Sequence, residues 1–259
     1  MSVATEGVKL DRLEFSLDVC EGIPVFDDPV ACAQHFGLPM VKGIAKFRFG
    51  VRLASDVVLY LTNRRGNVRQ APGKLIVGHD TSNRLPLDRV ISILSRYLPT
   101  GVSFRRLSRV DVASDKFIPF DDFIAQVFPL GVDKHFCKSE FRVQFYNGVN
   151  PNTYQFGKHD IVVRFYDKQV EQGVDFSWSR VEMQFRNKII RETGEHLTDV
   201  DFLDSLIQLT SHCCNSFFRP LKKFVPGHYE QSEVCDYWLE LFSALADYDF
   251  RLSRNVYYV

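Results

Sequence analysis

The chain carries 259 residues with 45% hydrophobic content, enough for one large domain, or one domain with appendages, and a sizeable core. Its 32 basic and 32 acidic residues cancel, so bulk charge does not announce a nucleic-acid binder, although 20 of the bases are arginine, the cation that grips phosphate bidentately. No apolar run nears the ~18 residues of a membrane span, Met1-Ser2-Val3-Ala4-Thr5-Glu6 lacks a leader pattern, and the six cysteines and seven histidines form no Cys-x-x-Cys, His-x-x-x-His or His-apolar-His pair, which together predict a cytoplasmic protein with reduced thiols and no zinc site.

Strict period-2 alternation opens the chain. In Asp11–Val19, Leu13, Phe15, Leu17 and Val19 alternate with Arg12, Glu14, Ser16 and Asp18, the pattern of a strand with one apolar and one polar face. Asp28-Pro29 predicts a short helix ending near Gly37, with Asp as cap and Pro in the first turn. Phe47–Leu53 alternates again. Asn63–Gly73, with three arginines, two glycines and a proline, reads as a basic loop or hairpin tip. Leu87–Leu98 places Val90, Ile91, Leu94, Tyr97 and Leu98 on one helical stripe. Leu107–Asp115 is a strand with Val110 and Val112 opposite Arg109, Asp111 and Asp115. Phe120–Phe128 is a short amphipathic helix. Phe141–Tyr146 is a strand, followed by turn signals at Asn147-Gly148 and Asn150-Pro151-Asn152. Ile161–Lys168 and Arg180–Arg186 are two further strands. Thr198–Phe218 is the longest helical candidate, with Phe202, Leu203, Leu206, Leu209, Cys213 and Phe217 inward, and Ser232–Leu245, capped by Ser232, is the last. This order predicts an α+β fold: an open, largely antiparallel sheet with helices on one face, residues 1–195 as a catalytic sheet domain and 196–259 as a helical segment packed on it.

The polar face of that sheet carries the chemistry. Asp111 and Asp115 share one strand face, and Glu182 points the same way from another; one to three carboxylates of this kind hold Mg²⁺ or Mn²⁺, which polarises a phosphodiester. Tyr166 precedes Asp167-Lys168. A tyrosine can attack phosphorus and stay linked to it. Lys168, on the same face if the strand continues, could lower the tyrosine pKa or stabilise the leaving oxygen, and Glu171 could act as ligand or base. Arg142, Arg164 and Arg180 share the face and are candidates for backbone phosphate contacts, while Tyr154 is a candidate for base stacking or an alternative nucleophile. The same face suits plain cross-strand ion pairs equally well.

Four phrases in order, Arg109-Val110-Asp111-Val112-Ala113-Ser114-Asp115, then Thr153-Tyr154-Gln155-Phe156-Gly157 and Arg164-Phe165-Tyr166-Asp167-Lys168-Gln169-Val170-Glu171, then Arg180-Val181-Glu182, resemble the replication initiation factor family, the Rep_trans-type rolling-circle initiators of small plasmids and filamentous phages. The resemblance spans about residues 105–190, more weakly Asp11–Val19. The Gly-Cys-Arg phrase often found in that family's upstream half is absent, and Lys158-His159-Asp160 replaces a serine-rich stretch. The resemblance implies an RRM-like relative of the His-hydrophobic-His endonucleases in which acids replace the histidine pair. It also implies Tyr166 as the nicking tyrosine, supported by Lys168 and Glu171, and a divalent metal (Mg²⁺ or Mn²⁺) on Asp111, Glu182 and Asp115. Arg109, Arg142, Arg164, Arg180 and Tyr154 would contact DNA. The implied reaction cleaves one strand at an origin, leaving a 5′-phosphotyrosine and a 3′-hydroxyl, and later rejoins it. The implied partners are origin DNA, single-stranded or as an extruded hairpin, with host helicase and polymerase and a homodimer beyond it, in the cytoplasm of a bacterial host. A non-catalytic DNA-binding regulator of the same fold, or a mobilisation or transposition nickase, is the alternative.

Overall fold

The computed structural model describes residues 6–19, 37–42, 49–61, 73–78, 100–137, 141–146, 150–186, 213–228 and 231–247, with isolated positions between them. The helices expected at Asp28–Gly37 and Leu87–Leu98, and the basic segment Asn63–Gly73, lie largely outside the described residues. The chain forms two compact units, one centred on Leu10–Val110 and the other on Asp111–Ile189 with the described C-terminal elements. No helix among the described residues is long and apolar enough to cross a membrane.

The Leu10–Val110 unit is built from β1 (Glu6–Val19), β2 (Met40–Lys42), β3 (Phe49–Arg52), β4 (Val57–Leu61), β5 (Gly73–Gly78) and the first part of β6 (Val102–Lys116), in the order β2-β3-β4-β5-β1-β6. The alternation in β1 sends Leu13, Phe15 and Leu17 into a core with Leu59, Leu75 and Val77, all fully buried. Each such side chain contributes about 1.5–3 kcal/mol by leaving water.

In the other unit the second part of β6 is followed by α1 (Phe120–Val127), β7 (His135–Cys137), β8 (Phe141–Tyr146), β9 (Asn150–Gly157), β10 (Ile161–Asp167), α2 (Lys168–Gln172) and β11 (Ser179–Arg186). A single π-helical turn at Cys213–Phe217 leads into β12 (Phe218–Lys223), and β13 (Glu233–Val234) and α3 (Asp236–Asp247) follow. The main sheet runs β6-β11-β10-β9-β8, and a small sheet runs β13-β12-β7. β8, β9, β10 and β11 pair antiparallel in that order. An apolar face made by Val163, Phe165, Phe156, Val181, Met183 and Phe185 packs under Phe123, Phe128, Phe218 and Trp238, with rings meeting edge-on or tilted. The expected α+β architecture, antiparallel sheet with helices on one face, is what this unit forms.

Four local expectations are corrected. Asn150-Pro151-Asn152 is the start of β9, not a turn: Pro151 pairs with Phe145 where the β8–β9 register shifts, and a bulge tolerates a residue without an N–H. At the end of the expected Thr198–Phe218 helix, Cys213–Phe217 is a single π-turn and Phe218 opens β12, where Phe218, Pro220 and Leu221 are buried and Pro220 blocks helix; residues 198–212 lie outside the described residues. Ser232 does not cap the last helix: its Oγ accepts from the Val225 N–H, Glu233–Val234 stays extended, and helix begins at Asp236. The strand also stops before Lys168. Asp167 Oδ1 accepts from the Val170 N–H at 3.0 Å and caps α2, which ends at Gly173 in the left-handed conformation (φ 65°).

Candidate active site

β10 and β11 supply the centre of the polar face. Their register sets Arg164 opposite Glu182 and Tyr166 opposite Arg180. Phe165, between Arg164 and Tyr166, is fully buried in the aromatic core, so the strand's period alone turns the tyrosine to the other side. The Tyr166 hydroxyl donates to Glu182 Oε2 at 3.3 Å. The other carboxylate oxygen, Oε1, accepts from Gln184 Nε2 and lies 3.8 Å from Arg164 Nη1. Gln184 Oε1 accepts in turn from Arg186 Nη2. Arg164 is steadied from β9 by Gln155, whose Oε1 accepts from its Nε at 3.0 Å. Glu182 is thus held on one oxygen while the other faces the phenol, the arrangement of a base oriented by its neighbours.

Lys168 approaches from the start of α2 and not from the strand. Its Nζ lies 5.6 Å from the Tyr166 ring centroid and 5.8 Å from that of Trp178, and it pairs with Glu171. Tyr166, Arg164, Glu182, Asp167, Val170 and Glu171 line an open cleft of about 300 Å³ together with Gln144, Asn152 and Thr153. Tyr166 is only 8% exposed, so what reaches solvent is the cleft side of the ring.

The rest of the predicted set divides. Asp115 and Arg180 form a buried bidentate pair, Nε to Oδ1 at 2.5 Å and Nη2 to Oδ2 at 2.9 Å, and the guanidinium lies 5.5 Å from the Trp178 ring. Both oxygens of Asp115 are thereby occupied by a cation, and Arg180 does not present its charge to solvent. Asp111 is buried on β6 and does not line the cleft. Among the described residues no three His, Cys, Asp or Glu side chains assemble as a metal-holding group. With both oxygens on Arg180, Asp115 is not placed to join Asp111 and Glu182 as a metal ligand. The polar face is also not open as expected, since Asp111, Asp115, Arg180, Glu182 and Gln184 are all buried. Tyr154 lies on the opposite face: it is in register with Phe165, and its ring contacts Phe120 and Phe141. Burial, with Asp121 nearby, raises its pKa. Arg142 is exposed on β8 in register with Gln155. Arg109 belongs to the other unit, where its Nη1 lies 3.4 Å from Glu14.

Sequence reasoning missed Gln144, Asn152, Thr153 and Trp178. Gln184 carried a signal, standing two residues after Glu182 on one strand and so on its face. Asn152 was hidden by its reading as part of a turn, and Thr153 stands just after it. Trp178 had no local signal, because it is placed by the return of the chain from α2, where the Gln169 N–H donates to the Trp178 carbonyl at 2.9 Å.

No family model and no curated protein matches this chain. Among solved structures it is similar to the rolling circle replication initiator protein from Geobacillus stearothermophilus, with a TM-score of 0.53 and 15% sequence identity over 92% of this chain and 97% of that one. At that identity the likeness concerns the fold.

Proposed function

We propose that this protein nicks and rejoins one DNA strand through a tyrosine-linked intermediate, as a rolling-circle replication initiator does. The observation that carries the reading is the Tyr166–Glu182 pair, a phenol donating to an oriented carboxylate at the edge of a cleft lined by Arg164. The fold shared with a replication initiator supports it, as does the resemblance of the phrases around Asp111, Tyr166 and Glu182.

The chemistry runs on the chain's own groups. Tyr166 Oη attacks the scissile phosphorus as its proton passes to Glu182 Oε2. The bond from phosphorus to the 3′-oxygen breaks, the 3′-oxygen takes a proton from solvent, and the 5′-phosphate remains on the tyrosine. Arg164 offers positive charge where the phosphoryl oxygens gain negative charge, and Lys168 favours the phenolate before attack. Rejoining is the reverse, with Glu182 returning the proton. No step here is routed through a divalent ion, and the Mg²⁺ or Mn²⁺ that the resemblance implies enters the test as a variable.

The test incubates labelled single-stranded oligonucleotides from the encoding replicon with the protein in Mn²⁺, comparing wild type with Tyr166→Phe and with EDTA. A covalent adduct that forms with wild type and fails with Tyr166→Phe is expected. An adduct that survives Tyr166→Phe would overturn the assignment of the nucleophile. DNA binding with no adduct on any fragment would favour the non-catalytic regulator. Loss of the adduct in EDTA alone would bring a metal into the mechanism.

A further inference from the structure

The two units repeat one strand arrangement. In one, β6, β8, β9, β10 and β11 follow each other in sequence and lie side by side as β6-β11-β10-β9-β8; in the other, β1 to β5 follow in sequence and lie as β1-β5-β4-β3-β2. The repeat extends to side chains. Tyr166, next to last in β10, stands opposite Arg180 of β11, and Tyr60, next to last in β4, stands opposite Lys74 of β5. Arg180 pairs with Asp115 on β6, and Lys74 Nζ with Glu14 Oε2 on β1 at 2.5 Å, the first strand in each case.

The chemistry does not repeat. The cross-strand pair Arg164–Glu182 has as its counterpart Val58–Ile76. Tyr60 thus has no fifth-strand carboxylate to take its proton, and its ring lies against Gly50, where a Cβ would stand 2.8 Å from Cδ1. In place of a base this face gathers cations. Glu14 meets Arg12 Nη2 at 2.7 Å, Lys74 Nζ at 2.5 Å and Arg109 Nη1 at 3.4 Å. Its side chain is 6% exposed, while those of Arg12, Lys74 and Arg109 are 32%, 26% and 16% exposed. Three cations on one covered carboxylate leave this patch net positive, and further along β1 the exposed Asp18 is met by Arg105 Nη1 at 3.8 Å.

We propose that this face of the Leu10–Val110 unit binds the phosphate backbone of a nucleic-acid strand: a repeat of the nicking face that holds a strand without cutting it. The partner class rests on the nicking reading above. The geometry fits it because phosphate contacts need only converging, solvent-reaching cations, and take no account of sequence.

The experiment titrates a labelled oligothymidylate into the full chain by fluorescence anisotropy over a range of salt, for wild type, Arg12→Gln, Lys74→Gln and Glu14→Gln, with folding checked by circular dichroism. Each lost cation is expected to weaken binding and to lower the slope of log affinity against log salt by about one. Glu14→Gln is expected to tighten binding even as it lowers thermal stability, a combination that a purely structural ion cluster would not give. Unchanged affinity and salt slope in both cation variants overturns the proposal, and so does parallel loss of stability and binding in Glu14→Gln. Adduct formation is scored on the same preparations: absence of any adduct with these binding shifts intact sinks the nicking reading and spares the binding face.

Discussion

Tyr166 stands directly opposite Arg180 in the β10–β11 register, yet its hydroxyl reaches diagonally to Glu182 while the guanidinium turns to Asp115. Neighbours in one sheet thus take separate tasks. Tyr166→Phe removes the 3.3 Å hydrogen bond to the buried Glu182 carboxylate, so it is expected to cost about 1–3 kcal/mol of stability. It is also expected to abolish any covalent DNA adduct. Denaturant unfolding and a gel-shift of the adduct measure the two effects on the same sample.

Glu182→Gln keeps the shape and the contact with Gln184 but removes the acceptor of the phenol's proton. Adduct formation is expected to slow by about 10²–10⁴-fold and to recover toward high pH, where the phenol ionises unaided. A pH–rate profile distinguishes this from a positioning defect, which would lower the rate evenly at every pH.

Asp115→Ala leaves Arg180 buried without its counter-charge and is expected to destabilise the fold by about 3–5 kcal/mol. Asp115→Leu combined with Arg180→Leu is expected to recover most of that loss, since the pair must be desolvated as well as joined. If Asp115 instead binds a divalent ion, the single substitution would change Mn²⁺ affinity with little loss of stability, which calorimetry and urea titration together would show.

Stability depends on pH through His135. Burial against the Phe156 ring is the main cause of its lowered pKa, outweighing the Val132 carbonyl, which accepts from Nδ1 at 2.7 Å, and the nearby Asp133. The unfolded chain therefore takes up the proton first. Stability is expected to be full above the ordinary value of 6.5 and to fall as pH drops below it. His135→Gln is expected to flatten the midpoint of urea unfolding between about pH 7 and pH 5. A second acid loss follows from Glu14. Burial alone would raise its pKa, but Arg12, Lys74 and Arg109 together hold it below 4.5, so its contribution persists above that value and is lost as pH falls through the folded pKa.

Cys235, the residue just before α3, is buried, and burial is the chief reason its thiol is pushed up to about 11. It is expected to resist iodoacetamide at pH 8 in the folded protein and to react once urea unfolds the chain. Mass spectrometry of the labelled peptide reads the difference.

Much of this was legible in the sequence wherever the phase of a strand could be read locally. Phe165 and Tyr166 are adjacent letters, and their opposite fates follow from period 2. What escaped was phase across a misread boundary and pairing across distance. Asn150–Asn152 read as a turn where β9 in fact begins, and so nothing local showed that β9 sets Tyr154, packed against Phe120 and Phe141, opposite Phe165. The Asp115–Arg180 pair joins residues 65 apart and depends on strand neighbours that no local pattern specifies. Lys168 did carry a signal: Asp167 as cap and Gly173 as stop bracket a one-turn helix. That signal was outweighed by the alternation that preceded it.

The seven residues of β10 serve the core and the cleft at once, so the two cannot be revised separately by changing length. Inserting or deleting one residue between Ile161 and Tyr166 would deliver Phe165 to Glu182 and bury the phenol among Phe123, Phe128 and Phe218. Natural relatives that retain the chemistry should then vary in length in the connections around this strand and never within it.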